Sequence, residues 1–258
     1  MAAVVSYGRK GRLGVIRLER PDALNALTYD MIAGIERLAR DAERDPEVIA
    51  ICITGVGKAF CAGGDITNMA VREAKAVRTR VQRHHDWVRH VLTGEKPVIA
   101  AVNGAAAGAG FSVALLCDFV LMADDSYFRA GFPGLGASPD LGLALTLPRA
   151  VGMLRAKDLL MTNRRLDPAE AVACGAATRV VPAAQLMDEA LALAEQLAAG
   201  PATSLGLTKF LLNQAYEPIE DFLADECMSQ AVAFGSAEFD EGVKAFLGKR
   251  KPDFRKRA

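Results

Sequence analysis

The chain has 258 residues, with 31 Lys and Arg against 31 Asp and Glu, so it carries no net charge at pH 7 with neutral histidines. Hydrophobic residues at 51% and charged residues at 24% are a globular composition, which excludes disorder and a coiled coil. Neutrality argues against a broad polyanion-binding surface, and the length predicts one large domain or a domain with an appendage.

Alternation in residues 5–18, with Gly11 and Gly14 between apolar runs, predicts a β-hairpin. Thr28 is a candidate N-cap for a helix over 29–42, where Ile32, Ile35, Leu38 and Ala42 recur at helical spacing. The continuous apolar run 48–53 predicts a strand covered on both faces. An arginine-rich amphipathic helix is expected over 71–92, its apolar stripe running Val71, Ala74, Val77, Val81, His85, Val88, Leu92. A strand over 97–102 leads into a loop of small residues at 103–110 and a helix over 111–117. Further strands are expected at 119–123 and 126–130. Strand, helix, strand in that order predicts right-handed crossover units. After a glycine-rich loop the chain reads helical at 141–150, 153–161, 168–174, 183–199, 202–215, 219–234 and 238–248. Ala199-Gly200-Pro201 divides it into a core, 1–200, and a helical region, 201–258, suited to packing on a neighbour.

The five cysteines (Cys52, Cys61, Cys117, Cys174, Cys227) include no C-x-x-C pair and read as small buried hydrophobes of a reducing compartment. The N-terminal residues lack the basic-then-apolar pattern of an export signal. Residues 97–117 carry no charge, yet are too rich in Gly and Ala for membrane insertion. The expectation is a cytoplasmic protein with no membrane partner.

Two short segments carry the chemistry. Lys58-Ala59-Phe60-Cys61-Ala62-Gly63-Gly64-Asp65-Ile66 follows one buried strand, and Asn103-Gly104-Ala105-Ala106-Ala107-Gly108-Ala109-Gly110 follows the next. Small residues where a strand gives way to a helix expose backbone N–H groups to an anionic oxygen. Each alone reads as a tight turn; as a pair they can aim two donors at one oxygen, the construction of an oxyanion hole.

These segments resemble the crotonase (enoyl-CoA hydratase/isomerase) superfamily. The resemblance runs from Arg20-Pro21-Asp22-Ala23-Leu24-Asn25-Ala26-Leu27, through Pro133-Gly134-Leu135-Gly136-Ala137-Ser138-Pro139-Asp140 and Leu147-Pro148-Arg149-Ala150-Val151-Gly152, to residues 246–254. It implies an α/β ββα-spiral core with a C-terminal helical trimerisation region, a homotrimer or dimer of trimers, and acyl-CoA thioester substrates. CoA arrives as part of the substrate; no other cofactor and no metal are implied. The resemblance gives the hole to the N–H groups of Gly64 and Ala109. It gives the CoA path to Ala23, Leu24, Ala62, Asp65 and Ile66, with Phe246 and Lys249 reaching across from a neighbouring subunit.

The departures set the chemistry. Hydratases of this family use two glutamates, and their places are held here by Ser112 and Phe132, which become acyl-pocket candidates. Two-carboxylate hydration therefore has no equipment. Asp140 looks like the aspartate of two subgroups, isomerases of the 1,2-epoxyphenylacetyl-CoA type and 4-chlorobenzoyl-CoA dehalogenases. In the first role a single carboxylate shuttles a proton; in the second it attacks a carbon, with His85 as general base. The plainer reading of Asp140 is an N-cap for a helix beginning at Leu141, and that of His85 a core histidine.

A P-loop, a dinucleotide loop and a histidine metal pair all lack their required spacing. A Ser112, His85, Asp140 triad lacks the flanking glycine of a nucleophile elbow. The basic tail 249–257 reads as a CoA-phosphate contact and a solvated end, with no nucleic-acid partner expected. The leading expectation is an enoyl-CoA isomerase using Asp140. The alternatives are a hydrolytic dehalogenase or other acyl-CoA hydrolase or hydratase using Asp140 with His85, and a non-catalytic CoA- or RNA-binding homologue.

Overall fold

A computed structural model describes residues 4–68 and 73–254. The hairpin forms as β1 (Val5–Lys10) and β2 (Leu13–Leu18), paired antiparallel. Thr28 caps α1 (Tyr29–Arg44) by accepting the Met31 N–H at 3.2 Å. Next come β3 (Ala50–Gly55), β4 (Ala59–Cys61), α2 (Ala74–Thr93), β5 (Val98–Val102), β6 (Ala105–Ala107) and α3 (Ala109–Leu116). The core continues with β7 (Phe119–Ala123), β8 (Tyr127–Arg129), α4 (Leu143–Val151), α5 (Met153–Thr162), β9 (Arg165–Leu166), α6 (Pro168–Cys174), β10 (Arg179–Val181) and α7 (Leu186–Ala198). Helices α8 (Ala202–Gln214), α9 (Ile219–Phe234) and α10 (Ala237–Leu247) end the described chain.

One sheet runs β1-β2-β3-β5-β7-β10, parallel after the hairpin. Its central strands are buried on both faces because alternate side chains enter different cores. Ile51, Ile53, Val98, Ala100, Val102 and Met122 face the core beneath α1, α2 and α3. Ala50, Cys52, Ile99, Ala101 and Leu121 face a second core that α7 closes with Leu186, Ala190, Leu193 and Ala194. That arrangement explains why the strands read as unbroken apolar runs rather than as alternation.

A second sheet, β4-β6-β8-β9, corrects the loop expected at 103–110. Ala105–Ala107 is a strand between β4 and β8, parallel to both. Three alanines carry neither β-branching nor alternation, so only the flanking strands define it. The sheet sets the two small-residue segments side by side.

Cys52, Cys61 and Cys117 are buried, whereas Cys174 is half-buried and Cys227 exposed on α9, contrary to the expectation for all five. Burial pushes the Cys52 and Cys61 thiols up to about 12, which leaves them unreactive. No helix among the described residues is long and apolar enough to cross a membrane.

Helix α8 is fastened to the core by Lys209. Its Nζ donates to the Lys96 carbonyl at 2.9 Å and pairs with Asp118 Oδ2 at 2.9 Å, with only 5% of its side chain exposed. Burial nonetheless outweighs the lysine's attraction, and the Asp118 carboxyl sits above its ordinary range. Replacing Lys209 with Met strands that carboxylate. The expected loss is on the order of 3 kcal/mol, read by calorimetry as a fall in Tm of roughly 6–12 °C. An unchanged Tm would show that Lys209 adds nothing to the hold on α8.

Candidate active site

The first segment is zipped against residues 24–27. Ala62 N–H donates to Leu24 O at 2.9 Å, Leu27 N–H to Gly63 O at 2.7 Å, and Asp65 N–H to Leu27 O at 2.9 Å. Because the residues on either side of Gly64 make the bridge to Leu27, the Gly64 N–H faces the other way, with no backbone acceptor among the described residues. Gly63 holds φ at +116°, a left-handed backbone that a side chain would strain. Ala109 opens α3, so its N–H has no carbonyl four residues back and lies at the positive end of the helix. The two turns touch: a Cβ placed on Gly63 would lie 3.2 Å from the Ala107 carbonyl oxygen and 3.8 Å from the Ala109 nitrogen. Gly64 and Ala109 line one cavity, as the hole requires.

Asp140 lines the same cavity. It does not cap a helix: α4 begins at Leu143 behind Gly142, without a side-chain cap. Leu141 at φ +47° and Gly142 at φ +78° turn the chain between the carboxylate and the helix, and Leu141 is anchored in the core at 5% exposure. Asp140 Oδ1 is buried without a hydrogen-bond partner. Burial raises its pKa, opposed by its own backbone N–H and by the Arg80 guanidinium. A carboxylate so placed is a base of more than ordinary strength.

Helix α2 corrects the histidine. His84 lines the cavity, whereas His85 is exposed. The stripe read from the valines misjudged the helix's rotation, because the side chains that bury α2 are Trp87 and Val91. Centring the inward face on those two turns His84 and Arg80 towards the site and His85 away. Val71, at the head of the expected stripe, lies outside the described residues. Burial, then Arg80 and His85, lower the His84 pKa, so its neutral form is favoured. Tyr29 stands beside it, ring centroids 6.3 Å apart.

Ser112 and Phe132 do not line the cavity. Ser112 is fully buried and its hydroxyl donates to the Gly108 carbonyl at 3.3 Å, while Phe132, 7% exposed, belongs to the core. Of the CoA-path residues, Leu24, Ala62 and Ile66 are exposed and Ala23 is half-buried, and none of the four lines the cavity. Asp65 is a clamp: it accepts from the Thr67 hydroxyl at 2.6 Å and pairs with Arg20 at 2.9 Å, and its pKa is lowered, chiefly by Thr67. Phe246, 83% exposed on α10, and Lys249 just beyond it lie outside this chain's cavity.

The sequence reading passed over Asn25, which is fully buried. Its Nδ2 donates to the Val56 and Ala59 carbonyls at 3.0 and 2.8 Å, and its Oδ1 accepts the Arg20 N–H at 2.9 Å. Asn103 performs a matching task, accepting Gly55 N–H at 3.0 Å and donating to Gly57 O at 3.0 Å. These two asparagines hold the loop that delivers Gly64. A lone Asn among the apolar residues 23–27 was the available signal.

The family model for enoyl-CoA hydratase/isomerase matches residues 8–257. The chain belongs to that family. It is 38% identical over 248 residues to a probable enoyl-CoA hydratase of Mycobacterium bovis, covering 95% of each chain. It is 37% identical over 259 residues to the 1,2-epoxyphenylacetyl-CoA isomerase of Escherichia coli, covering 98% of each. An enoyl-CoA hydratase subunit from Geobacillus kaustophilus superposes with a TM-score of 0.90 at 35% identity, covering 96% of both chains. The mixed α/β fold with C-terminal helices is that of this enoyl-CoA hydratase/isomerase family, which an acyl-CoA substrate fits.

Proposed function

We propose that this family member shifts a double bond within an enoyl-CoA thioester, with Asp140 as its single proton-transferring group. The observation that carries this reading is the buried, unpartnered Asp140 Oδ1 in the cavity that also holds the Gly64 and Ala109 amides. The thioester oxygen accepts both N–H groups. Ionised Asp140 takes a proton from C2 of a 3-enoyl thioester, and the electron pair delocalises onto the thioester oxygen as a dienolate. Protonated Asp140 then returns the proton at C4, leaving the 2-enoyl product and the ionised carboxylate. Each hole donor contributes about 3–4 kcal/mol to the charged state. The buried Ser112 hydroxyl and the core side chain of Phe132 support isomerisation over hydration, since neither offers a carboxylate to activate water.

Incubating the protein with a 3-enoyl-CoA should give the conjugated 2-enoyl thioester, read by its ultraviolet absorbance, without accumulation of a hydroxyacyl product. The acidic limb of kcat/KM should lie above the ordinary aspartate value of about 3.9, since activity falls as Asp140 takes up its proton. Formation of the hydroxyacyl thioester as the main product would replace this reading with hydration.

His84 favours one second reading, a hydrolytic dehalogenase in which Asp140 attacks the halogen-bearing carbon and His84, not His85, activates water. Halide release from a 4-halobenzoyl-CoA, without migration in a 3-enoyl-CoA, would establish it instead. The same proposal makes the chain a homotrimer or dimer of trimers. Its support is the apolar surface left on α9 and α10, where Met228 is 67%, Phe234 59% and Phe246 83% exposed. Sedimentation of the full chain should give the mass of three or six copies; a monomer would end that part of the proposal.

A further inference from the structure

Arg80 lies on α2 one turn before His84 and lines the cavity with Gly64, Ala109 and Asp140. It is half-buried, and among the described residues its guanidinium makes no hydrogen bond and no ion pair. Two other half-buried arginines beside acidic groups are held. Arg20 is pinned by Asp65 at 2.9 Å and the Ala26 carbonyl at 2.6 Å, and Arg164 by Asp158 and Glu170, both at 2.7 Å. Asp140 is near enough to feel the Arg80 charge but makes no bond with it.

A guanidinium with a fork of five donors, partly withdrawn from water, is best matched by a second planar anion. The side chains around it do not supply one. Asp65 is occupied by Thr67 and Arg20, Asp140 is the reacting group and makes no bond to it, and burial favours the neutral form of His84. Arg80 shares one cavity of about 70 Å³ with the Gly64 and Ala109 amides.

We propose that Arg80 receives a carboxylate at the far end of the acyl group, so that the preferred substrates are CoA thioesters of short dicarboxylic acids. This inference rests on the cavity assignment made above and names the substrate class for it. A neutral oxygen on the chain would accept one or two of the five donors and bring no charge to the guanidinium, which Asp140 approaches without bonding. A carboxylate accepts two in parallel and cancels the charge.

The test uses unreactive saturated thioesters, so it does not depend on isomerisation. Glutaryl-CoA, pentanoyl-CoA and 5-hydroxypentanoyl-CoA are titrated calorimetrically into the full-length protein. Glutaryl-CoA should bind about ten- to a hundredfold more tightly than pentanoyl-CoA. Arg80→Gln should erase the difference by weakening glutaryl-CoA alone, and Arg80→Lys should retain part of it. Equal affinities in the unaltered protein, equal weakening of all ligands by Arg80→Gln, or a preference for the hydroxyl over the carboxylate would each overturn the proposal. Failure of double-bond migration with the glutaryl preference intact would instead sink the isomerase reading and leave Arg80's role standing.

Discussion

Replacing Asp140 with Asn should lower kcat by about 10²–10⁴-fold while binding of a saturated acyl-CoA stays close to that of the unaltered protein. The amide keeps the volume and polarity of the carboxyl, so the cavity is preserved, but it cannot accept the proton from C2. The change in stability distinguishes a proton shuttle from a structural acid. A carboxyl whose folded pKa is raised favours the native state in its protonated form. That contribution is fully present below the unfolded value and lost as pH rises through the folded one. Burial is the first cause of the upward shift at Asp140. At neutral pH the ionised group therefore weakens the fold, and the Asn variant should show an equal or higher Tm. A lower Tm together with lost ligand binding would make Asp140 a structural residue. Undiminished turnover would remove it from the reaction and favour a non-catalytic CoA-binding role.

Much of this site was legible in the chain because it is built from backbone. Gly63-Gly64 and Gly108-Ala109-Gly110 announce close approach of main chain by the absence of side chains, and such approach is local enough to read from sequence. Asp140 was legible as a carboxylate after a proline, but capping and catalysis make the same demand on sequence. Only the left-handed turn at Leu141-Gly142, which starts α4 two residues later, separates them. The histidine was not legible for a different reason. Along α2 the apolar residues spread over more than one stripe, and the helix's rotation is decided by where Trp87 finds a hole in the core. That is tertiary information. The strand at Ala105–Ala107 was hidden likewise, since alanine has no preference that neighbouring strands cannot override.

Gly110→Ala tests the hole without touching a titratable group. Gly110 is the second residue of α3, and a Cβ there would run into the Cys61 carbonyl oxygen and lie 2.8 Å from both the Cys61 carbonyl carbon and its Cβ. Two of these three atoms are backbone of β4, so no side-chain rotation relieves the clash; α3 must move away from the strand that leads to Gly64. The Ala109 N–H travels with the helix, and the two donors no longer converge on one oxygen. A displacement near 1 Å lowers the rate by about 10²-fold when geometry carries the catalysis. The loss should fall on kcat more than on KM, since the donors act most strongly on the charge that develops in the enolate. Overpacking costs about 1–3 kcal/mol, so rates are to be compared well below the variant's Tm. The acidic limb of the pH profile should stay in place, because the alanine neither adds nor removes a charge near the Asp140 carboxylate. Combined with Asp140→Asn, the alanine should lower the residual turnover further, since the hole sustains what survives loss of the shuttle. Unaltered kcat in Gly110→Ala would mean that the thioester oxygen is not held between Gly64 and Ala109. A shifted acidic limb would mean that the alanine acts through Asp140 rather than through the amides.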